Sequence, residues 1–107
     1  MARFGKFLKE ERTKKNLNQS DFGYHLGIIM TDISKIENNR KRFPFANLEK
    51  LAEFLNMDFS EIKILYVADI IVCEAHKYGC NDTVFSIAEK QSKYLRSKNV
   101  KQGKIKF

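Results

Sequence analysis

The sequence predicts an all-α fold of six helices, and three observations lead to this prediction. Apolar residues recur at spacings of three and four along most of the chain, which is the period of a helix buried on one side. Asparagine or glycine stands where several of these segments end. One Pro and five Gly among 107 residues leave little scope for the many tight turns of an all-β protein. We therefore expect one domain-sized helical core.

The first two predicted helices are short and are separated by asparagines. Over residues 4–15, three apolar side chains share one face: Phe4, Phe7 and Leu8. Asn16 suits the left-handed backbone that commonly ends a helix. Asn18 is the predicted N-cap of a second helix, which ends at Gly27 after about two turns.

The third predicted helix lies within residues 27–39 and has two contrasting sides. On a helical wheel at about 100° per residue, the isoleucines fall together as the buried side: Ile29, Ile33 and Ile36. The opposite side is polar: Thr31, Ser34, Lys35 and Asn38. Met30 and Asp32 lie on the flanks. Such side chains can reach base edges in a DNA major groove, but an ordinary solvated helix also carries them.

The fourth and fifth predicted helices differ in how their apolar residues are arranged. The fourth covers residues 47–55, has one apolar face and ends at Asn56. In the fifth, over residues 59–78, apolar side chains surround the axis: Ile62, Ile64, Leu65, Val67, Ile70, Ile71, Val72 and Cys73. A helix that is apolar on most sides is expected to be covered on most sides. Gly79 ends it.

The chain is predicted to finish with a sixth helix and a tail. The helix covers residues 82–97 and is capped by Asn81 or Asp82. Residues 98–107 are rich in lysine and contain no acidic residue, which predicts a flexible basic tail. Three parts are therefore predicted. Residues 1–78 form a domain that includes the fifth helix, residues 79–97 form an assembly element, and residues 98–107 form the tail.

The charge balance favours polyanionic partners. Twenty Lys and Arg against 13 Asp and Glu give a formal net charge of +7, which by itself does not separate nucleic acid from an anionic membrane surface. We expect no signal peptide, because residues 1–15 lack an unbroken apolar stretch, and the most apolar run of the sequence is shorter than the roughly 20 residues that a membrane span needs. We expect a cytoplasmic protein without a membrane partner, whose Cys73 and Cys80 are reduced.

No set of residues indicates catalysis or a cofactor. The chain has two His, and it has no Gly-rich phosphate loop and no Ser, His and acid arrangement with suitable context. Cys73, His76 and Cys80 have a spacing that metal ligands can have, but a fourth ligand is not evident. We therefore predict a protein that is not an enzyme, with no catalytic residues, no metal and no cofactor.

The segment LNQSDFGYHLGIIMTDISKIENNRKR joins a two-turn helix, a tight turn at Gly27 and a second short helix. It resembles the phage-repressor-like helix-turn-helix family, also called the Cro/repressor or XRE type, and the resemblance extends over residues 4–66. The family implies a five-helix lambda-repressor-like DNA-binding domain, extended here by the sixth helix. It also implies that the third helix enters the major groove.

The resemblance implies a role for each matching residue. The base-reading or groove-facing positions are Met30, Thr31, Ser34 and Lys35. The phosphate-binding positions are Gln19, Asn38, Arg40, Lys41 and Arg42. The pair Arg12 and Glu37 matches a partly buried ion pair with a structural role.

The sequence also departs from the family pattern. Gly23 stands where the family usually has Ala, and either residue is expected to let the two motif helices approach closely. Ile29 occupies a position often filled by Ser or Thr, so the usual N-terminal cap of the third helix is missing. Asn39 replaces a usual Gly.

These expectations define a leading function and its alternatives. The leading one is a repressor-like or controller-like transcription regulator that binds double-stranded DNA, recognising a partly palindromic operator as a homodimer assembled through the fifth and sixth helices. A fully intramolecular six-helix core is the alternative to that assembly. An antitoxin-like chain would instead bind a protein partner through its C-terminal helices, with DNA binding as autoregulation. A general nucleic-acid binder would bind scrambled duplexes equally well.

Overall fold

The fold is all-helical, as the sequence predicts. The computed structural model describes the backbone of residues 4–101 and the side chains of residues 4–98. In chain order the elements are α1 (Phe4–Lys14), α2 (Gln19–Leu26), α3 (Met30–Glu37), a 3₁₀ turn (Phe45–Asn47), α4 (Leu48–Leu55), α5 (Phe59–Lys77) and α6 (Thr83–Lys101). The described residues contain no strand. The predicted all-α class is therefore confirmed.

Two differences from the predicted boundaries concern the ends of helices. A 3₁₀ turn precedes α4, and the sequence pattern did not indicate it. Helix α6 continues past the predicted end at residue 97 and reaches Lys101, so the segment predicted as a tail begins within the helix. The remainder of that predicted tail, residues 102–107, lies outside the described residues.

Left-handed backbone ends the first four α-helices or lies just beyond their ends. The residues concerned are Asn16 (φ 57°), Gly27 (φ 71°), Asn39 (φ 61°) and Asn56 (φ 56°). At the start of α2, the side-chain oxygen of Asn18 accepts a hydrogen bond of 2.7 Å from the Asp21 backbone N–H. Asparagine therefore both starts and stops helices here, because its short amide bonds to nearby backbone and tolerates a positive φ.

The chain forms two compact units that divide between Cys73 and Glu74. In the first unit, side chains from α1 to α5 form one core, whose completely buried members are Leu8, Phe22, Leu26, Ile33, Leu48, Leu51 and Ile62. The buried residues of α1 and α4 recur at helical spacing, so each of these helices buries the face that the sequence pattern indicates. This core holds α2 and α3 in place.

Helix α5 buries one side and leaves an apolar surface on the other. Ile62 and Tyr66 belong to the core, and Ile70 packs against it. The opposite surface, which we call the α5 strip, is between 42% and 68% exposed and consists of Ile64, Leu65, Val67 and Ile71. Within the single chain the core covers one face of this helix, and cover of the α5 strip by a second subunit stays a prediction.

The second unit consists of the last turn of α5 and helix α6. Gly79 has a φ of 69°, and the Cys80 N–H donates to the Ala75 carbonyl at 2.9 Å, which ends α5. The Asn81 side chain accepts a hydrogen bond of 3.0 Å from the Thr83 N–H at the start of α6. Among the side chains of α6 that the structure describes, three large apolar ones are exposed: Ile87, Tyr94 and Leu95. None of the described helices is long and apolar enough to cross a membrane.

Candidate nucleic-acid interface

Helices α2 and α3 are joined by a tight turn in which two glycines have structural roles. Gly27 takes the left-handed conformation, and the Ile28 N–H donates to the Gly23 carbonyl at 2.8 Å. A Cβ atom added at Gly23 would overlap the Ile28 carbonyl oxygen and press on Ile33. An alanine at position 23 would therefore require the Ile28 backbone to shift, whereas glycine lets α2 approach the turn this closely.

Helix α3 presents the residues of the predicted base-reading set on its outer surface. Met30, Thr31 and Lys35 are exposed, and Ser34 is half-buried. Ile33 and Ile36 form the buried side and pack in the core. The helix thus places four side chains along one accessible surface. They carry one thioether, two hydroxyl groups that can donate or accept hydrogen bonds, and one ammonium group.

Ile29 does not belong to the buried side, contrary to the helical-wheel prediction. It is the N-cap of α3 and has an extended backbone (φ −70°, ψ 153°), so helical periodicity does not apply to it. Its side chain is 67% exposed, whereas its neighbour Ile28 packs against the core. The Ile29 side chain makes no capping hydrogen bond to this helix.

A buried ion pair fixes the C-terminal end of α3 to α1. The Arg12 Nε and Nη2 atoms donate to the two carboxylate oxygens of Glu37 at 2.7 and 3.1 Å. Arg12 also donates to the Leu17 carbonyl at 2.8 Å. The Glu37 side chain is 2% exposed and that of Arg12 is 14% exposed. A paired guanidinium in this fork geometry keeps the carboxylate satisfied in the interior.

Gln19 joins the same network from the start of α2. Its Nε2 donates to a Glu37 carboxylate oxygen at 3.1 Å, and the side chain is half-buried. The residue therefore braces the end of α3 against the beginning of α2. The phosphate contact that the family resemblance implies for Gln19 stays a prediction.

The segment after α3 begins with hydrogen bonds that fold it back on the helix. The Asn38 side chain donates to the Ser34 carbonyl at 2.9 Å, and the Arg40 N–H donates to the Lys35 carbonyl at 2.8 Å. Asn39 lies between them with a positive φ. The resulting sharp turn leads directly into the exposed residues 40–42, which we call the cationic loop.

Phe43 and Tyr66 anchor the far end of the cationic loop. The Phe43 ring is buried and meets Phe4 edge-on, with 5.9 Å between ring centroids. The Tyr66 hydroxyl donates to the Phe43 carbonyl. Burial raises the pKa of Tyr66, and the nearby Arg42 charge opposes that rise. The phenol is therefore protonated at neutral pH and remains a donor.

The three loop cations do not have equivalent surroundings. The Lys41 ammonium lies 2.9 Å from the Asp32 carboxylate of α3, while Arg42 is near Tyr66. The sequence pattern placed Asp32 on a flank of the third helix and indicated no partner for Asp32 or Tyr66. Both contacts join residues that are distant in sequence, so no spacing pattern could have indicated them.

The residues considered as metal ligands do not form a cluster. Cys73 is half-buried, Cys80 is exposed, and both are free thiols. Within the part of the chain that the structure describes, no group of three or more His, Cys, Asp and Glu side chains could hold a metal ion.

Comparisons with known proteins agree with this geometry. The model of a family described as a helix-turn-helix domain matches residues 5–66. Over 62 residues the chain is 31% identical to the ImmF control region 10 kDa protein of Bacillus phage phi105, which covers 58% of this chain and 69% of that protein. Over 61 residues it is 36% identical to control protein C.MunI of Mycoplasma sp, covering 56% and 82% respectively. No solved structure matches the chain significantly.

The family assignment follows from the extent of the match together with the α2, turn and α3 geometry. Residues 5–66 make up more than half of the chain and contain both motif helices and the whole network around Glu37. The chain therefore belongs to the helix-turn-helix family, as a phage-repressor-like member of the XRE type, and it is a DNA-binding transcription regulator.

Proposed function

We propose that the protein recognises a partly palindromic operator as a homodimer, with α3 of each subunit in a major groove. The observation that carries this proposal is that α3 and the cationic loop share one surface. The Arg40 backbone N–H donates to the Lys35 carbonyl, so the loop begins directly beside the end of α3. A helix can enter a major groove, and cations beside it can contact the flanking phosphates. The protein would act in the cytoplasm by binding, without catalysis.

Selection from a random pool of DNA duplexes tests this proposal. We expect enrichment of one sequence with two inverted half-sites whose centres lie about one helical turn, roughly 34 Å, apart. Enrichment of a single half-site would argue against the dimer. If scrambled duplexes bind as well as any selected one, the protein is a general nucleic-acid binder held by its net charge of +7.

The first prediction concerns base reading by α3. Changing Lys35 to Ala should alter the relative affinities of duplexes that differ at one base pair, by about 1–3 kcal/mol if its ammonium contacts that base. The side chain is exposed and can be removed without disturbing the core. Competition binding across all single-base variants of the selected duplex measures the effect. Unchanged relative affinities would exclude Lys35 from base reading.

The second prediction concerns phosphate contacts by the cationic loop. Changing Arg42 to Gln should weaken all duplexes by a similar factor and reduce the slope of log affinity against log salt by about one. Lys90 of α6 is a matched control, because Lys90→Gln removes the same charge from outside the proposed interface. Equal slopes for Arg42→Gln and Lys90→Gln would mean that Arg42 acts only through net charge.

The α5 strip supports the homodimer. Four apolar side chains at least 42% exposed on one helix form a surface that is costly to leave in water. At a two-fold axis each subunit would contribute the same strip, so the surface must be complementary to itself. Apolar side chains of similar size satisfy this requirement without matched charges.

The exposed side of α6 supports a second candidate function, binding of a protein partner as an antitoxin does. Ile87, Tyr94 and Leu95 are exposed on the same helix at spacings of seven and eight residues, which places them on a common side. A partner that copurifies with the full chain and is lost on changing Tyr94 to Ser would favour this candidate. Its DNA binding would then serve autoregulation.

A further inference from the structure

The start of α3 carries two adjacent apolar side chains in water. Ile29 is 67% exposed and Met30 is 51% exposed, whereas the other residues of the predicted base-reading set carry hydroxyl or ammonium groups. We call Ile29 and Met30 the apolar tip of α3. It stands at the N-terminal end of the helix, which in helix-turn-helix proteins is the end that contacts base edges.

Folding alone does not explain the apolar tip. Ile29 packs outside the core, and its position is the N-cap of α3, where Ser, Thr, Asn or Asp would satisfy a backbone N–H. Isoleucine supplies no such acceptor, so the Ile29 side chain makes no capping hydrogen bond. A position that forgoes a local stabilising interaction and exposes apolar surface is expected where function selects the residue.

The chemistry of the major groove limits what an apolar tip can recognise. Three of the four bases present only hydrogen-bond donors and acceptors there, while thymine also presents its 5-methyl group. Ile29 offers no donor or acceptor, and the Met30 sulfur is only a weak acceptor. We propose that Ile29, with Met30 beside it, contacts the 5-methyl group of a thymine in each operator half-site. This inference rests on the proposed operator binding.

Replacing thymine by deoxyuridine tests the inference, because it removes the methyl group and keeps every hydrogen-bonding group of the base pair. The probe is the duplex selected from the random pool, with each thymine replaced in turn by deoxyuridine. We expect the wild-type chain to lose roughly four-fold in affinity at one position of each half-site, which is the effect of burying one methyl group. The other positions should change little.

Variants of the tip then assign the methyl contact to its residue. Ile29→Ser should bind the thymine and deoxyuridine duplexes equally, while its new hydroxyl can cap α3, so that thermal unfolding occurs at the same or a higher temperature. Met30→Gln should reduce the ratio of the two affinities in part. Tyr78→Ala removes an exposed aromatic side chain that belongs to none of the proposed interfaces and should leave the ratio unchanged.

The outcomes separate the inference from the function on which it rests. A selected duplex whose affinity is indifferent to every deoxyuridine replacement overturns the thymine contact and leaves operator binding intact; the tip would then pack on the sugar-phosphate backbone. A four-fold ratio that persists in Ile29→Ser and Met30→Gln assigns the methyl group to another residue and overturns the inference. If no duplex is selected, operator binding fails and the thymine contact fails with it.

Discussion

Changing Arg12 to Ala is expected to lower the free energy of unfolding by about 3–5 kcal/mol. The reason is the Glu37 carboxylate, whose side chain is 2% exposed and which receives two hydrogen bonds from Arg12. Without the guanidinium, the carboxylate would lose its cation while remaining buried. Urea denaturation followed by circular dichroism measures the change.

The exposed pair of Lys14 and Glu11 in α1 is the matched control. Its atoms are 3.0 Å apart, but the Lys14 side chain is 71% exposed, so Lys14→Ala should cost no more than about 1 kcal/mol. Both variants remove one cation from the same helix. A loss for Arg12→Ala as small as that for Lys14→Ala would contradict a structural role for the buried pair.

A double variant tests whether Arg12→Ala loses stability because the Glu37 charge is left buried without its cation. Replacing both Arg12 and Glu37 by apolar residues of similar size, as Met and Leu, should recover most of the stability lost in Arg12→Ala, because neither charge is then left alone. Gln19 would lose its acceptor but is only half-buried, so water can replace Glu37 as its partner. If the double variant is no more stable than Arg12→Ala, the unpaired Glu37 charge does not explain the loss of stability.

Most of the fold could be predicted from the sequence because its signals are local. Apolar periodicity locates the six helices, and residues such as Asn16, Gly27 and Asn56 mark their ends through backbone preferences that need no tertiary contact. The helical wheel placed Ile29 on the wrong side because it assumes a helical backbone. As the N-cap residue, Ile29 has an extended backbone instead.

Less of the candidate site than of the fold could be predicted from the sequence alone. Arg12 and Glu37 are 25 positions apart, and only the family resemblance paired them. The contact between Lys41 and Asp32, and the anchoring of Phe43 by Tyr66, depend on how the loop packs and carry no sequence signature. For α5, the pattern shows that apolar residues surround the axis, but it does not show which side the single chain leaves uncovered.

Changing both Ile64 and Ile71 to Gln is expected to convert the proposed dimer into a monomer. The side chains are 68% and 48% exposed in the single chain, so folding should be little affected. At a two-fold interface the variant would remove four isoleucines, and covering their exposed parts is worth about 3–6 kcal/mol, roughly half of full burial. The dimer dissociation constant should therefore rise by about two to four orders of magnitude. Light scattering at micromolar concentration measures the mass.

Operator binding should weaken with the loss of the dimer. In a dimer the second recognition helix binds intramolecularly, which commonly raises the overall affinity by about 100-fold to 10,000-fold over a single site. We expect the variant to lose about that much on the full operator while binding an isolated half-site as the wild-type monomer does. Glutamine keeps the net charge, so electrostatic attraction to phosphate is the same in both proteins.

The control must remove apolar surface without touching α5. Tyr24 of α2 is 82% exposed, so Tyr24→Gln deletes a comparable surface and should leave the dimer mass unchanged. A dimer that survives in the α5 variant would contradict assembly through the strip, and loss of the dimer in Ile87→Gln would instead place the contact on α6. Because a monomer binds full and half operators with nearly equal affinity, the ratio of those two affinities reports assembly independently of mass. If the affinity ratio and the mass both indicate a monomer in the α5 variant, the dimer that binds the two-fold symmetric operator is assembled through the α5 strip.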